Sequence, residues 1–345
     1  MAGVPSPDGT DALPLRFAVL GAGSWGTALA MQLVRAGSNV VLWDWDREHI
    51  EAVGRAGRNE RFLPDHPLPD DLATEPDLEA AVRGADELLI VVPSHAFAGL
   101  LQQIAPWLAP GQGVAWACKG LDPGTGRFLH EPAEALFGRE RPLAVVTGPS
   151  FAKEVAANLP TAITGAGTDP AYCARIARAL HGGNFRAYTS DDIVGAELGG
   201  SVKNVLAVAT GISDGMGLGN NARAALITRG LAEMMRLGRA LGAKPQTLTG
   251  LTGVGDLVLT CTGDLSRNRR LGLALGAGKT VDEAVAEIGQ VVEGVKTAAE
   301  IWRLAGRLGV DMPIAEQVYG IIHKGRDPNE SVRELLAREP KSETA

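Results

Sequence analysis

Gly21-Ala22-Gly23-Ser24-Trp25-Gly26 decides the fold, because it lies where a short apolar run, Phe17-Ala18-Val19-Leu20, gives way to a helix-like segment from Thr27 to Arg35. That order is the strand, tight turn and helix start of a dinucleotide-binding fold. In it Gly21 makes the turn, Gly23 lets the backbone approach a pyrophosphate, and Gly26 lets helix and strand pack closely. Free N–H groups at the helix start then face the phosphates. The chain has 44 glycines, so the motif alone is a weak signal. Its context strengthens it: a second run, Val40-Val41-Leu42-Trp43, follows at the expected spacing and ends in Asp44, an acidic side chain suited to ribose hydroxyls.

Working outward, 345 residues exceed one ordinary core and suggest two domains, at about one per 150 residues. The composition is 45% apolar and 21% charged, which fits a folded α/β protein and excludes a disordered chain. Lys and Arg number 33 against 40 Asp and Glu, and the net charge of -7 argues against nucleic-acid or anionic-membrane partners. An anionic ligand therefore needs a local cationic pocket. Cys118, Cys173 and Cys261 show no C-x-x-C spacing and the six histidines form no H-x-x-x-H pair, so neither a disulfide framework nor a metal site is expected. No apolar run reaches the ~18 residues of a membrane span, and the N-terminus lacks the apolar core of a signal peptide. A reducing cytoplasm is the expected location.

Residues 1–15 and 340–345 read as flexible extensions, 16–192 as the dinucleotide-binding domain and 193–339 as a mainly α-helical substrate and catalytic domain. In the first domain the apolar runs Leu88 to Val92, Val114 to Ala117, Leu143 to Val146, Thr161 to Thr164 and Phe185 to Tyr188 alternate with helical segments, the pattern of a doubly wound parallel sheet covered on both faces. Ligands of such sheets lie beyond the strands' carboxyl ends, where Pro93-Ser94, Lys119-Gly120 and Gly148-Pro149-Ser150 fall. Ser94 and Ser150 also read as plain helix N-caps. Lys119, a long cation at the exit of a buried strand, has no evident solvated face to decorate.

The second domain carries the chemistry. Lys203 and Asn204 lie in Gly199-Gly200-Ser201-Val202-Lys203-Asn204-Val205-Leu206-Ala207, a helix apolar almost all round, so Lys203 is expected inside the protein, with snorkelling to the surface as the alternative. Asp256 sits among glycines and leucines. An unpaired buried carboxylate is costly, so Asp256 needs a cation, for which Lys203 is the natural partner; a helix-capping role is the plainer reading. Ser266 can N-cap the next helix and aim Arg267 or Asn268 at a phosphate, while Arg269 and Arg270 read as an ordinary basic solvated face.

Taken in order, Gly21 to Gly26, Val92-Pro93-Ser94-His95, Lys119-Gly120-Leu121, Gly148 to Glu154, Gly199 to Asn204, Gly255-Asp256-Leu257, Ser266-Arg267-Asn268 and Gly289 to Gly294 resemble the NAD(P)-dependent glycerol-3-phosphate dehydrogenases of bacterial type, over roughly Arg16 to Leu336. The resemblance implies that Lys203 is the catalytic acid/base, acting with Asp256 and Lys119. It implies substrate contacts from Lys119, Gly148, Ser150, Lys203, Asn204, Asp256, Ser266, Arg267 and Asn268. It implies cofactor contacts from Gly21, Gly23, Ser24, Trp25, Gly26, Asp44, Trp45, Lys119, Ala152, Arg267, Val291 and Glu293. NAD or NADP is the implied cofactor, a phosphorylated small molecule the substrate, and supply of glycerophospholipid synthesis the role; a homodimer is a further expectation. Many bacterial members carry a basic residue or histidine just after the second strand, where this chain reads Asp44-Trp45-Asp46-Arg47, and that departure favours NAD. A β-hydroxyacid dehydrogenase is the nearest rival, and a non-catalytic nicotinamide sensor a more distant one.

Overall fold

The structure, a computed structural model, describes residues 14–123 and 125–339. The extensions expected at 1–15 and 340–345 lie outside these residues, apart from Pro14 and Leu15. Eight strands form one sheet: β1 (Arg16–Leu20), β2 (Asn39–Trp43), β3 (Leu72–Thr74), β4 (Glu87–Ile90), β5 (Gly113–Trp116), β6 (Leu143–Thr147), β7 (Thr161–Ala166) and β8 (Phe185–Ser190). Their order is β3-β2-β1-β4-β5-β6-β7-β8. Every neighbouring pair is parallel except β6 and β7, which are antiparallel, with Val146 opposite Gly165. The wholly parallel sheet expected from the apolar runs is thus corrected at one step, because β6 and β7 are joined through a short helix that lets the chain turn back instead of crossing over.

Seven helices accompany the strands: α1 (Ser24–Arg35), α2 (Arg47–Ala56), α3 (Leu78–Gly84), α4 (Ser94–Ile104), α5 (His130–Phe137), α6 (Ala152–Ala156) and α7 (Pro170–Leu180). Side chains alternate along β1, so Phe17 and Val19 join one apolar layer with Leu29 and Leu33 of α1, while Ala18 and Leu20 join the other with Phe97 and Leu101 of α4. Both faces of the sheet are therefore buried, the condition for continuously apolar strands.

Beyond Ser190 the structure is helical: α8 (Ile193–Gly215), α9 (Gly219–Leu241), α10 (Pro245–Thr249), α11 (Asp256–Thr262), α12 (Arg267–Gly276), α13 (Val281–Ile288), α14 (Glu293–Leu308), α15 (Pro313–Lys324) and α16 (Pro328–Leu336). Helix α8 is the axis of this half. Asp192 caps it, accepting from Gly195 N at 2.8 Å, and its length is buried from Ala196 to Ile212 among the other helices. Glycines set how closely these helices pack. A Cβ built on Gly211 would lie 2.2 Å from Arg269 O and one on Gly272 2.2 Å from Val208 O, so α12 rests backbone to backbone on α8. A single π-helical turn, Leu251–Gly255, leads directly into Asp256, and it too presses on α8, at Gly199.

Candidate active site

At the carboxyl edge of β1, Gly21 has φ 120°, and a Cβ there would strike Val91 O at 2.3 Å, so no other residue makes this turn without displacing β4. A Cβ on Gly26 would lie 1.8 Å from Gly21 O, which is how α1 seats so close to the strand. Gly23 differs from both. A Cβ there would meet no atom of the described residues within 4 Å, so the loop opens outward at the residue assigned to close pyrophosphate approach. Among the described residues no side chain caps α1, which leaves its first-turn N–H groups to an outside acceptor. The loop fits a dinucleotide.

Asp44 is buried, and its carboxylate is already engaged: Oδ2 accepts from Ala22 N at 2.7 Å and Oδ1 from Asp46 N at 3.0 Å. It therefore braces the glycine loop as well as ending β2. Ser24 Oγ donates to Phe62 O at 2.8 Å, and Trp45 is 81% exposed. Trp25 packs with Ala152 against the core beside α1, and its Nε1 is buried without a partner among the described residues. Glu293, the first residue of α14, accepts from Ser94 N at 3.3 Å and Ser94 Oγ at 3.0 Å, so Ser94 ties the two halves together instead of capping α4. Val291, close by in sequence, is 44% exposed.

The charged centre lies where β5, β6, α8 and α11 meet. Lys203 of α8 is 5% exposed and forms a very short ion pair with Asp256 Oδ1, while Lys119, just past β5, reaches Asp256 Oδ2 at 2.9 Å. Lys119 Nζ also donates to Gly148 O at 3.0 Å and lies 5.9 Å from the centroid of Trp25's ring. Gly148 has φ 142°, and the turn it makes aims that carbonyl at the lysine. Ser150 Oγ donates to the same oxygen at 3.0 Å, which is not an N-cap, since α6 begins after Phe151. Asp256 is likewise no cap: its carboxylate takes both ammoniums and the Thr260 hydroxyl at 3.2 Å.

Burial lowers the Lys203 pKa to about 7; Asp256 opposes that shift and Lys119 adds to it. For Asp256, burial acts upward, but Lys119 and Lys203 outweigh it and hold the carboxyl below its usual range. Two cations share one anion, so one ammonium is poised to give up a proton near neutrality.

A polar ladder extends from this centre. Asn204 Nδ2 donates to Lys119 O at 3.3 Å, Asn268 Nδ2 to Asn204 Oδ1 at 2.8 Å, and Gly294 N to Asn268 Oδ1 at 2.9 Å. Asn268 is thereby committed internally, and it fixes the start of α12 against α8 and α14. Ser266 does cap α12, accepting from Arg269 N at 3.2 Å. Arg267, the first residue of that helix, keeps an exposed surface, though burial of its guanidinium lowers its pKa and the Glu293 charge partly offsets this; its hydrogen bond to Gln290 Oε1 is a long 3.4 Å. Arg269 corrects the reading of a solvated face: it is 7% exposed and bridges Asp214 and Asp264, both at 2.7 Å. Those partners lie on a neighbouring helix and in the preceding turn, beyond the reach of helical periodicity.

One residue here was invisible to sequence reasoning. Thr147, last in β6, is 2% exposed with a hydroxyl that has no partner among the described residues, and a Cβ on Gly200 would come within 3.1 Å of it. Its position one residue before Gly148 is the only signal it offers. The three cysteines are free and buried, and burial raises their pKa values, to about 11 for Cys173. Among the described residues no group of three or more His, Cys, Asp or Glu is placed to hold a metal, and no helix is long and apolar enough to cross a membrane.

An open dinucleotide loop whose Trp25 lies 5.9 Å from Lys119, one of two lysines on a buried carboxylate, defines a nicotinamide-dependent oxidoreductase with a sheet domain and a helical domain. Two family models match the chain, the N-terminus of NAD-dependent glycerol-3-phosphate dehydrogenase over residues 16–173 and its C-terminus over 192–333. The glycerol-3-phosphate dehydrogenase [NAD(P)+] of Stenotrophomonas maltophilia (strain R551-3) is 60% identical over 328 residues, 95% of this chain and 96% of that protein. The protein of the same name from Xanthomonas euvesicatoria pv. vesicatoria (strain 85-10) is 59% identical with the same coverage. The crystal structure of glycerol-3-phosphate dehydrogenase from Coxiella burnetii superposes with a TM-score of 0.91 at 49% identity, covering 94% of this chain and 99% of that one. The chain belongs to the NAD-dependent glycerol-3-phosphate dehydrogenase family.

Proposed function

We propose that the chain catalyses the reversible NAD(P)H-dependent reduction of dihydroxyacetone phosphate to sn-glycerol 3-phosphate, with Lys203 as the acid/base. The observation that carries the assignment of roles is the Lys203–Asp256–Lys119 centre, one buried and one half-buried cation on one buried carboxylate, with Lys119 5.9 Å from the ring of Trp25 in the glycine loop. Gly21 to Gly26, Trp25 among them, and the Glu293 region would hold the dinucleotide, which when bound would supply or accept the hydride exchanged at the substrate's C2. Lys203 as an ammonium stabilises the oxyanion that builds up on the C2 oxygen and gives it a proton; as a neutral amine it removes that proton in the reverse direction. Asp256 orients Lys203, and Lys119 keeps its pKa low while offering a second positive charge. Arg267 and the N-terminus of α12 bind the phosphate, an assignment supported by Arg267 having no ion-pair partner among the described residues.

NADH is the preferred cofactor in this reading. A buried carboxylate closes β2, where the additional phosphate of NADP would lie. Arg47, the nearest cation in sequence, is turned toward Glu51 of its own helix at 2.9 Å. Arg61 reaches Asp46 at 3.4 Å and is the cation through which NADPH remains acceptable. The product supplies the backbone of glycerophospholipids, the role this activity serves, and the protein acts as a cytoplasmic homodimer.

The deciding experiment follows absorbance loss from NADH and NADPH with purified protein. Oxidation is expected only when dihydroxyacetone phosphate is added, with a higher kcat/KM for NADH, and Lys203→Ala is expected to lose about 10²-fold or more in kcat with cofactor affinity nearly unchanged. Retention of more than about a tenth of wild-type kcat in that variant would overturn the role of Lys203.

A further inference from the structure

Away from the reacting atoms, α8 is fastened to the sheet by one carboxylate. Glu197, buried with its side chain only 2% exposed, lies on α8 between Asp192 and Lys203. Its Oε1 accepts from Trp116 Nε1 at 3.0 Å and from His130 N at 3.2 Å, and its Oε2 lies 2.5 Å from His130 Nδ1. Trp116 is the last residue of β5 and fully buried, and Lys119 follows it by three positions. His130 begins α5, and its ring stacks on Phe128 with an interplanar angle of 15°. A single side chain thus joins the strand that delivers Lys119 to the helix that delivers Lys203.

That connection matters because the two lysines converge on one carboxylate from different halves of the molecule. Their separation follows from how α8 sits on β5, and apolar contact alone tolerates small sliding, whereas three hydrogen bonds to one buried carboxylate fix both the height and the rotation of the helix. We propose that Glu197 is a positioning residue for the reaction, and that its bonds to Trp116 and His130 set the register between Lys119 and Lys203 and so the alignment of the Lys203 proton with the substrate oxygen. This rests on the reading of Lys203 as acid/base.

The charges around the imidazole agree with the geometry. Burial lowers the His130 pKa, but the hydrogen bond and charge of Glu197, helped by Glu134 and Glu131 of its own helix, outweigh burial and raise it. The latch is therefore strongest as an imidazolium–carboxylate pair. Glu197→Gln removes that pair, and burial, no longer opposed by the Glu197 charge, then favours a neutral imidazole beside the amide. Pairing Glu197→Gln with His130→Gln sets two amides side by side, which bond each other while the Gln carbonyl at 197 still accepts the Trp116 N–H.

The test uses the full-length enzyme with NADH and dihydroxyacetone phosphate. Glu197→Gln is expected to lower kcat by about 10- to 100-fold, the cost of a small misplacement of a catalytic group, with KM for NADH changed less than about twofold and the pH profile of kcat/KM displaced. The double substitution is expected to recover at least half of that loss on a logarithmic scale. A kcat for Glu197→Gln within about twofold of wild type overturns the proposal, as does a loss that the double substitution leaves unrepaired. If Glu197→Gln yields no folded protein, the same two outcomes are read from His130→Ala, which leaves Glu197 bonded to Trp116, compared with the double substitution. Lys203→Ala is run in parallel: a variant that still turns over defeats the acid/base reading, while the Glu197 series separately decides the latch.

Discussion

Lys203 shows how burial and charge divide the control of one group. Its surroundings bring the ammonium down to about 7, so within the physiological range it exists in both forms, as a reversible dehydrogenase needs. With Lys203 as the proposed acid/base, reduction draws on the ammonium. The kcat/KM for dihydroxyacetone phosphate should therefore fall as pH rises through that value, and the kcat/KM for sn-glycerol 3-phosphate should rise over the same interval, because oxidation requires the neutral amine. Initial rates in both directions between pH 5.5 and 9, corrected for the overall equilibrium, check this; parallel curves in the two directions would remove Lys203 from the proton transfer. A lysine on an apolar helix was legible in the sequence, and so was its need for Asp256. Lys119 was placed at the same centre only through the family resemblance, and its ion pair with Asp256 was not read, since the two are far apart in the chain and only the fold joins them.

At the scale of the element, α12 concentrates the binding argument. Ser266 caps it, its backbone rests on α8 through Gly272, and Asn268 and Arg269 turn inward, which leaves Arg267 and Arg270 facing out in its first turn, Arg267 nearest the N-terminus. Arg267→Ala is expected to raise KM for dihydroxyacetone phosphate by at least tenfold with a smaller change in kcat, since a charge-assisted phosphate contact contributes about 1.5–3 kcal/mol. Kinetics with unphosphorylated dihydroxyacetone provide the control, and an equal effect on both substrates would count against a phosphate contact. Other elements differed in how plainly the sequence announced them. The strands β1, β2 and β4 to β8 stood out as apolar runs. β3 did not, because at three residues with only Leu72 buried it has no pattern to read. Helix α11 was hidden by the glycines of the π-helical turn before it, and α16 by its polarity, with Ser331 its one buried residue.

For the molecule as a whole, the reversal between β6 and β7 has a consequence for how catalytic distance is measured out. Because β7 and β8 run against the other strands, the chain leaves β8 at the edge of the sheet opposite the glycine loop. Helix α8 must then climb the full height of the sheet to bring Lys203 to the level where Lys119 emerges. Ten residue steps from Ile193 to Lys203 rise about 15 Å. Counted the same way, the four residue steps of β6 span about 13 Å, so the helix reaches slightly past the strand's end, where Lys119 emerges beyond β5. The segment between Asp192 and Lys203 is in effect a ruler, graduated in helical residues and zeroed by the cap at its foot. One alanine inserted into that segment would carry the lysine about 100° around the axis and 1.5 Å too far, and turnover should vanish in whatever fraction still folds, as judged by circular dichroism. The same insertion in the connection at Met216–Leu218, beyond the measured length, should leave most of the activity in place.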